Sequence, residues 1–224
     1  MSHKLPSQPQ SVTQTKPILS PTPVPIFLNP AWPIPSQAQC LAWWDTFDML
    51  DNIRAHSLQV TKVAEGITRL ALGHTGKKFG AQSQEQLLGS VRAAALLHDL
   101  AKTYCILHGG NHAQVGASWV VELTGNPAIG QGVLHHVFWP GPADPALFFL
   151  PLVIAYSDKR VRHDEIVSLD TRLDDLLVRY GRTQKHRDMI RTSFDQVRKI
   201  ETKLEQQTGV DLNAYSFDSR GLVK

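Results

Sequence analysis

The sequence has few cysteines and no long uninterrupted apolar run. Its two cysteines, Cys40 and Cys105, form no CxxC pair, so no disulfide framework is expected and we interpret both as reduced thiols. The longest strongly apolar run, PALFFLPLVIAY, has 12 residues and contains Pro151, whereas a membrane-spanning helix needs about 20 residues. The amino-terminal MSHKLPSQPQSVTQTKP lacks the apolar segment of a secretory signal. These absences predict a soluble, cytoplasmic protein with no membrane partner.

Strong charge of either sign is also missing. The chain carries 23 Lys and Arg against 20 Asp and Glu, so its formal net charge is +3 with ten histidines counted as neutral. This excess is too small to argue for a nucleic-acid partner, although it would suit a small anionic ligand. Hydrophobic residues make up 42% of 224 positions, which is enough for one domain with a sizeable core.

Neither sustained period-2 alternation nor an internal repeat occurs, so we predict an all-α protein. Residues 1–35 contain nine of the 14 prolines, and we expect a tail there that is disordered or wrapped on the surface. From Ser36 onward, apolar residues recur at helical spacing between capping residues and glycine stops. We therefore predict one domain of about eight helices over residues 36–210, ending in an amphipathic helix at about 183–208. Residues 211–224 would be a carboxy-terminal tail.

The most apolar predicted helix contains three polar residues. It should begin at a capping box of Ser83 and Gln86 and continue without interruption through AALLHDLAKTY. Between residues 93 and 101 only His98 and Asp99 are polar, so the helix should be central and the buried carboxylate needs a compensating partner. Lys102 lies one turn beyond His98. Either a buried His–Asp–Lys hydrogen-bond network or a metal site would meet that need.

Inward-facing His and Asp residues recur on other predicted helices. His56 lies on the apolar face of the helix that begins at Asp51, and taken alone it is more typical of a satisfied core histidine than of a ligand. Asp158 ends the apolar stretch LPLVIAYSD. Asp158 either faces the interior, as the apolar residues before it do, or is a helix-end carboxylate paired with Arg160 or Arg162.

Three further histidines are candidates for the same site. His112 opens a helix in NHAQVGA, and His135 and His136 are adjacent near the end of an apolar helix. Each one alone is more typical of a partly exposed surface histidine than of a ligand. Taken together, imidazoles and carboxylates from several helices favour a metal site in a helical core, because a dication compensates the buried carboxylates. Such ligands without thiolates suit Mn, Fe, Co, Ni, Zn or Mg, as one ion or two.

The order of these residues resembles a known signature. His56, then His98–Asp99, then Asp158 resembles the H…HD…D pattern of the HD-domain superfamily of metal-dependent phosphohydrolases. LLHDLAK resembles the central motif of that family, often HDIGK or HDIAK, and NHAQVGA resembles the HxxxGA element of its HDIG-type members. VLHHVFW is similar to their later histidine, and AYSDKRV to the closing A-D-K segment. The resemblance covers about residues 36–181.

The resemblance implies an α-helical domain with a divalent metal at its centre. Four residues match the ligands of a first ion: His56, His98, Asp99 and Asp158. Three match positions that hold a second ion in dinuclear members, with one or both of the adjacent pair as ligands: His112, His135 and His136. Lys102 matches the lysine that contacts a substrate phosphate. No GYP motif and no nucleotidyltransferase or synthetase segment is present, so the cyclic-di-GMP, alarmone and tRNA-processing branches are not supported.

The implied activity is hydrolysis of a phosphomonoester or phosphodiester, and we expect the substrate to be a nucleotide. Asp99 would bridge the metals or orient the nucleophile. Lys102, joined by Lys159 or Arg160, would neutralise phosphate charge in the transition state. Two alternatives are a di-iron oxygenase on the same fold and a non-catalytic regulatory module that binds nucleotide or metal.

Overall fold

The computed structural model of the chain describes residues 22–75 and 81–217, and the predicted all-α class is confirmed. Residues 1–21, which form most of the predicted proline-rich tail, and residues 218–224 lie outside the described ranges. Within those ranges there are nine helices and one short hairpin, in the order α1 Gln37–Thr46, α2 Asp51–Thr75, α3 Ala81–Leu97, α4 Lys102–His108, α5 His112–Thr124, α6 Pro127–Leu134, α7 Pro145–Lys159, β1 Val161–Arg162, β2 Glu165–Ile166, α8 Leu169–Tyr180 and α9 Gln184–Thr208.

Side-chain caps fix the start of most helices. In each case a side-chain oxygen accepts a hydrogen bond from a backbone N–H of the first turn, which would otherwise lack a partner. The capping residues are Ser36, Asn111, Asn126, Asp144, Ser168 and Thr183. Helices α5 and α9 end at Gly125 and Gly209, whose φ values of 62° and 74° lie in the left-handed region that favours glycine. Local sequence therefore determines many of the helix boundaries.

The hydrophobic core lies between α2, α3, α6, α7 and α9, which pack against one another. Its fully buried side chains include Val60, Val63, Ile67, Leu96, Ile154 and Ile200. Each such side chain contributes about 1.5–3 kcal/mol through burial. Helix α1 is anchored on α3 because the Trp44 indole N–H donates to the Leu96 carbonyl at 2.9 Å.

Helix α6 approaches its neighbours closely at Gly132. A Cβ atom at this position would lie 3.2 Å from the Ala94 Cβ on α3 and 3.5 Å from the Ile154 Cγ1 on α7. The absence of a side chain therefore allows the α6 backbone to pack directly onto α3 and α7. His136, four residues after Gly132, is carried toward the same interior.

The predicted uninterrupted helix through AALLHDLAKTY is wrong. Helix α3 ends at Leu97 and α4 begins at Lys102, with a tight turn at residues 98–101. Two backbone bonds in this turn span three residues, from the Leu100 N–H to the Leu97 carbonyl at 3.1 Å and from the Lys102 N–H to the Asp99 carbonyl at 2.9 Å. This tighter winding changes the angular relation between successive side chains. His98 and Asp99 thus lie at a break between two helices.

The predicted capping box at Ser83 is also wrong, because α3 already includes Ala81. The Gln86 amide instead donates to the Asn29 carbonyl at 2.6 Å and so contacts the segment that precedes α1. Two more amides bind this segment, from Asn126 to the Pro33 carbonyl at 3.1 Å and from Gln131 to the Val24 carbonyl at 2.8 Å. Residues 22–35 therefore lie along α3 and α6.

The ends of the predicted domain at residues 36 and 210 stay predictions. Beyond residue 210, Leu212 and Phe217 are buried with exposed fractions of 0% and 2% and belong to the core cluster. None of the helices in ranges 22–75 and 81–217 combines the length and the apolarity needed to cross a lipid bilayer.

Candidate metal centre

Several helix ends and one helix face meet at a cluster of histidines and aspartates. Helix α2 contributes one residue, the turn after α3 contributes two, and α5, the end of α6 and α7 contribute one each. In chain order these residues are His56, His98, Asp99, His112, His136 and Asp158. All are buried except His112, whose side chain is 27% exposed. The tertiary structure therefore collects ligand-type groups whose sequence separation reaches 102 residues, between His56 and Asp158.

A first group of possible ligands consists of His56, His98 and Asp99. Each offers one atom, and these atoms lie within 4.8 Å of one another. Asp158 approaches the same group from α7, because its Oδ1 lies 2.9 Å from the His56 Nε2 and 3.9 Å from the His98 Nε2. The four residues that the resemblance implies for a first ion are thus neighbours in space.

A second group consists of Asp99, His112 and His136. The Asp99 Oδ1 lies 3.3 Å from the His112 Nε2 and 3.5 Å from the His136 Nε2, and these two nitrogens are 3.1 Å apart. The other carboxylate oxygen of Asp99, Oδ2, lies 3.4 Å from the His98 Nε2. Asp99 is therefore common to both groups, with one oxygen near each.

The buried histidines are oriented by backbone carbonyls. A carbonyl can only accept a hydrogen bond, so a ring nitrogen that contacts it must carry the proton. Three Nδ1 atoms make such contacts: His56 with the His163 carbonyl at 3.1 Å, His98 with the Ala95 carbonyl at 2.7 Å and His136 with the Val133 carbonyl at 2.6 Å. In each neutral ring the Nε2 lone pair then faces the cluster, as metal ligation requires.

The cluster contains buried polar atoms that a bound cation would satisfy together. Within the described residues, the His98 Nε2 and the Asp99 Oδ1 are buried without a hydrogen-bond partner, an arrangement that costs free energy. In the neutral tautomer that carries its proton on Nδ1, the His56 ring also presents Nε2 as an acceptor toward the Asp158 Oδ1, 2.9 Å away. Ligand atoms bound at about 2.1 Å and at right angles lie about 3 Å apart. The donor set therefore fits a divalent cation.

Both site carboxylates are held in the charged form. Burial opposes the ionisation of Asp99, but the nearby His98 and Lys102 hold its pKa well below the usual range. Burial opposes the ionisation of Asp158 too, and Lys159 together with the adjacent histidines likewise holds its pKa well below the usual range. Two ionised carboxylates in a buried interior supply the anionic ligands that a divalent cation binds.

The buried histidines respond differently to burial beside these carboxylates. Burial lowers the pKa of His136 to about 4, so its ring is neutral near pH 7, as a metal ligand must be. Burial also opposes the charge on His98, but the Asp99 and Asp158 carboxylates outweigh it and raise the pKa of His98 above its usual value.

Each carboxylate also has a lysine partner. The Lys102 Nζ lies 2.6 Å from the Asp99 Oδ2, and the Lys102 side chain is 36% exposed. The Lys159 Nζ lies 2.6 Å from the Asp158 Oδ2 and 3.3 Å from the His136 carbonyl, and its side chain is only 8% exposed. Of these two lysines, Lys102 is therefore the one that a substrate in solvent can reach.

Two residues expected at the site lie elsewhere. The Arg160 guanidinium donates to the Val167 carbonyl at 2.7 Å and to the Leu212 carbonyl at 2.6 Å, so it ties the end of α7 to the carboxy-terminal segment. The His135 ring packs edge-on against Trp139, with ring centroids 5.3 Å apart. Of the adjacent histidine pair, the structure brings His136 to the cluster and not His135.

One contributor to the cluster was not predicted from the sequence. His163 takes part through its backbone carbonyl, and its own side chain is exposed. Every residue carries a carbonyl, so no feature of residue identity could mark this one as a partner of His56.

A family model for the HD domain matches residues 53–197, a range that contains all the residues of both ligand groups. A search of the curated proteins and a search of the solved structures gave no significant match. The chain belongs to the HD domain family, and the resemblance found in the sequence is thereby confirmed. Proteins of this family are typically metal-dependent phosphohydrolases, and the His/Asp cluster could hold a metal ion.

Proposed function

We propose that the protein is a metal-dependent phosphohydrolase that cleaves a phosphomonoester or a phosphodiester. The observation that supports this most is the buried cluster around Asp99, with the accessible cation Lys102 beside it. Four residues would hold a first divalent ion, namely His56, His98, Asp99 and Asp158. Three would hold a second, namely Asp99, His112 and His136. Each ion would be one of Mn, Fe, Co, Ni, Zn and Mg, because these metals accept imidazole and carboxylate ligands.

In such a reaction the bound metal, Asp99 and Lys102 would have different roles. A bound divalent ion supplies Lewis acidity, which lowers the pKa of water and neutralises charge on a phosphoryl oxygen. Asp99 has an oxygen in each ligand group, so it fixes the distance between the two groups. Lys102 remains an ammonium at neutral pH, since burial opposes its charge but Asp99 and Asp158 raise its pKa. It would bind the phosphate from the solvent side.

We further propose a nucleotide as the substrate and the cytoplasm as the location, both as predicted from the sequence. Lys102 is the phosphate contact in this proposal. Lys159 is too deeply buried to reach a substrate, and the Arg160 guanidinium is engaged by carbonyls away from the cluster.

The test is an assay of the purified full chain loaded separately with each of the six metals. Phosphate release from an aryl phosphate, an aryl phosphodiester and a panel of nucleotides should depend on added metal and disappear with a chelator. Asp99→Ala should lower the rate about 100-fold or more, because a shared ligand is lost. The matched control is Asp195→Ala, which removes an exposed carboxylate on α9 and should leave the rate unchanged.

Two results would contradict the proposal. A folded, metal-loaded protein that releases no phosphate from any of these substrates would indicate a regulatory module. Oxygen consumption by the reduced, iron-loaded protein, without phosphate release, would indicate a di-iron oxygenase.

A further inference from the structure

His56 differs from the other buried histidines in how its ring is anchored. His98 and His136 each donate from Nδ1 to the carbonyl three residues earlier in their own segment, so local backbone geometry orients them. His56 donates to the carbonyl of His163, which lies 107 residues later in the chain. The orientation of His56 therefore depends on a tertiary contact with the hairpin formed by β1 and β2.

The hairpin presents this carbonyl from an unusual backbone conformation. Val161 pairs with Ile166 and Arg162 with Glu165, which leaves residues 163 and 164 as a two-residue loop. His163 has a φ of 57°, in the left-handed region that side chains with a Cβ rarely adopt. Since the His163 side chain is exposed, its packing does not explain why a non-glycine residue occupies this position. A two-residue hairpin loop requires a positive φ at its first residue, so the turn itself sets the direction of the His163 carbonyl.

The hairpin is also close to Asp158, the other residue that the His56 ring contacts. It begins three residues after Asp158, and the Val167 N–H at its far end donates back to the Arg160 carbonyl at 2.8 Å. His56 is held between the two, with Nδ1 on the hairpin carbonyl and Nε2 at 2.9 Å from the Asp158 Oδ1. The end of α7 and the hairpin that follows it thus each contact one ring nitrogen of His56.

We propose that this hairpin is a positioning device, in which the His163 carbonyl fixes the His56 ring so that its Nε2 lone pair faces the first metal group. The inference rests on the metal site of the proposed function but not on the reaction. Without the carbonyl, the proton can move to Nε2, where it would form a hydrogen bond with Asp158 and block ligation. Loss of an outer partner of this kind weakens metal binding about 10–100-fold.

The test compares substitutions that tolerate or oppose a left-handed backbone. His163→Val disfavours the observed φ and should displace the carbonyl, whereas His163→Gly accepts that φ and keeps the carbonyl. Asp48→Val is the matched control, since Asp48 is the other non-glycine residue with positive φ in the described ranges, at 49°, and is also exposed. It lies between α1 and α2 and belongs to neither ligand group.

Calorimetric titration with Mn²⁺ and Zn²⁺ should show one site about 10–100-fold weaker in His163→Val and unchanged affinities in His163→Gly and Asp48→Val. Nitrogen-15 NMR of the metal-free wild type should find the His56 proton on Nδ1, and His163→Val should shift it toward Nε2. Equal metal affinity in both valine variants would overturn the inference, and so would a wild-type ring without a proton on Nδ1.

These readouts separate the inference from the proposed function. A wild type that binds metal but releases no phosphate would contradict the proposed phosphohydrolase activity. The metal titrations would still test the role of the hairpin. If the wild type binds no metal, the NMR comparison decides: a tautomer that changes only in His163→Val supports the inference, and an unchanged tautomer overturns it.

Discussion

The two carboxylates of the cluster have lysine partners at the same distance but in opposite surroundings. The Lys102 Nζ lies 2.6 Å from Asp99 and its side chain is 36% exposed, whereas the Lys159 Nζ lies 2.6 Å from Asp158 and its side chain is 8% exposed. Ion-pair geometry alone would assign both lysines the same role. Their exposure distinguishes the two lysines. Lys102 reaches solvent and can contact a substrate, whereas the enclosed Lys159 compensates a buried charge and so affects stability more strongly.

The carboxylates themselves differ in a second way. Asp99 has one oxygen near each ligand group, whereas the Oδ1 of Asp158 faces only the first group and its Oδ2 faces Lys159. The Asp99 side of the cluster therefore joins the two groups and opens toward solvent at Lys102 and His112. The Asp158 side closes the site against the core. This division predicts unequal consequences for otherwise similar substitutions.

The largest effect is expected from Asp99→Ala. Because Asp99 belongs to both groups, its loss should remove both ions, whereas Asp158→Ala should remove one and leave the group of Asp99, His112 and His136 occupied. Elemental analysis of the purified variants, with circular dichroism to verify folding, gives the metal content directly. Equal metal content in the two folded variants would break the distinction between the two carboxylates.

The next largest effect concerns stability. Lys159→Met leaves the buried Asp158 carboxylate without its cation, and breaking a buried ion pair in this way costs about 3–5 kcal/mol. Urea denaturation in the presence of a chelator measures the free energy of unfolding without a contribution from bound metal. Lys159→Arg keeps the charge and should lose less stability. A metal-free Lys159→Met protein as stable as the wild type would contradict the structural role of this lysine.

Lys102→Met should show the reverse pattern. Because 36% of the Lys102 side chain is exposed, water can partly replace its charge, so the unfolding free energy should fall less than in Lys159→Met. Loss of a charged contact to phosphate should lower kcat/KM about 10–100-fold. Steady-state kinetics of Lys102→Met and Lys102→Arg measure this effect. If Lys102→Met is strongly destabilised but fully active, the roles assigned to the two lysines are exchanged.

The smallest effect is expected from His135→Ala. His135 packs on Trp139 outside both ligand groups, so metal content and turnover should stay within about twofold of the wild type, as is usual for a substitution away from a site. Its neighbour His136 is the matched comparison, because His136→Ala removes a ligand of the second group. A larger loss of metal in His135→Ala than in His136→Ala would reverse the assignment within the pair.

Much of the site could be predicted from the sequence, since helical periodicity shows which side chains face the interior. His56 lies on the apolar face of α2, and His98 and Asp99 interrupt an otherwise apolar stretch, so the sequence alone indicates each as a candidate ligand. Caps such as Ser36, Asn111 and Ser168 are interactions between residues two or three positions apart, so the local sequence is enough to indicate them. The order of the motif residues likewise identified the family.

By itself, the sequence determined the helical class, the family and the types of ligand available, because these depend on residue identity and spacing along one chain. Only the tertiary structure decided that Asp99 is shared between two groups, that His136 rather than His135 faces them, and that Lys159 is enclosed while Lys102 is open. It also placed the His163 carbonyl on His56. These features depend on how helices approach one another and on backbone groups that every residue possesses, and periodicity along one helix specifies neither.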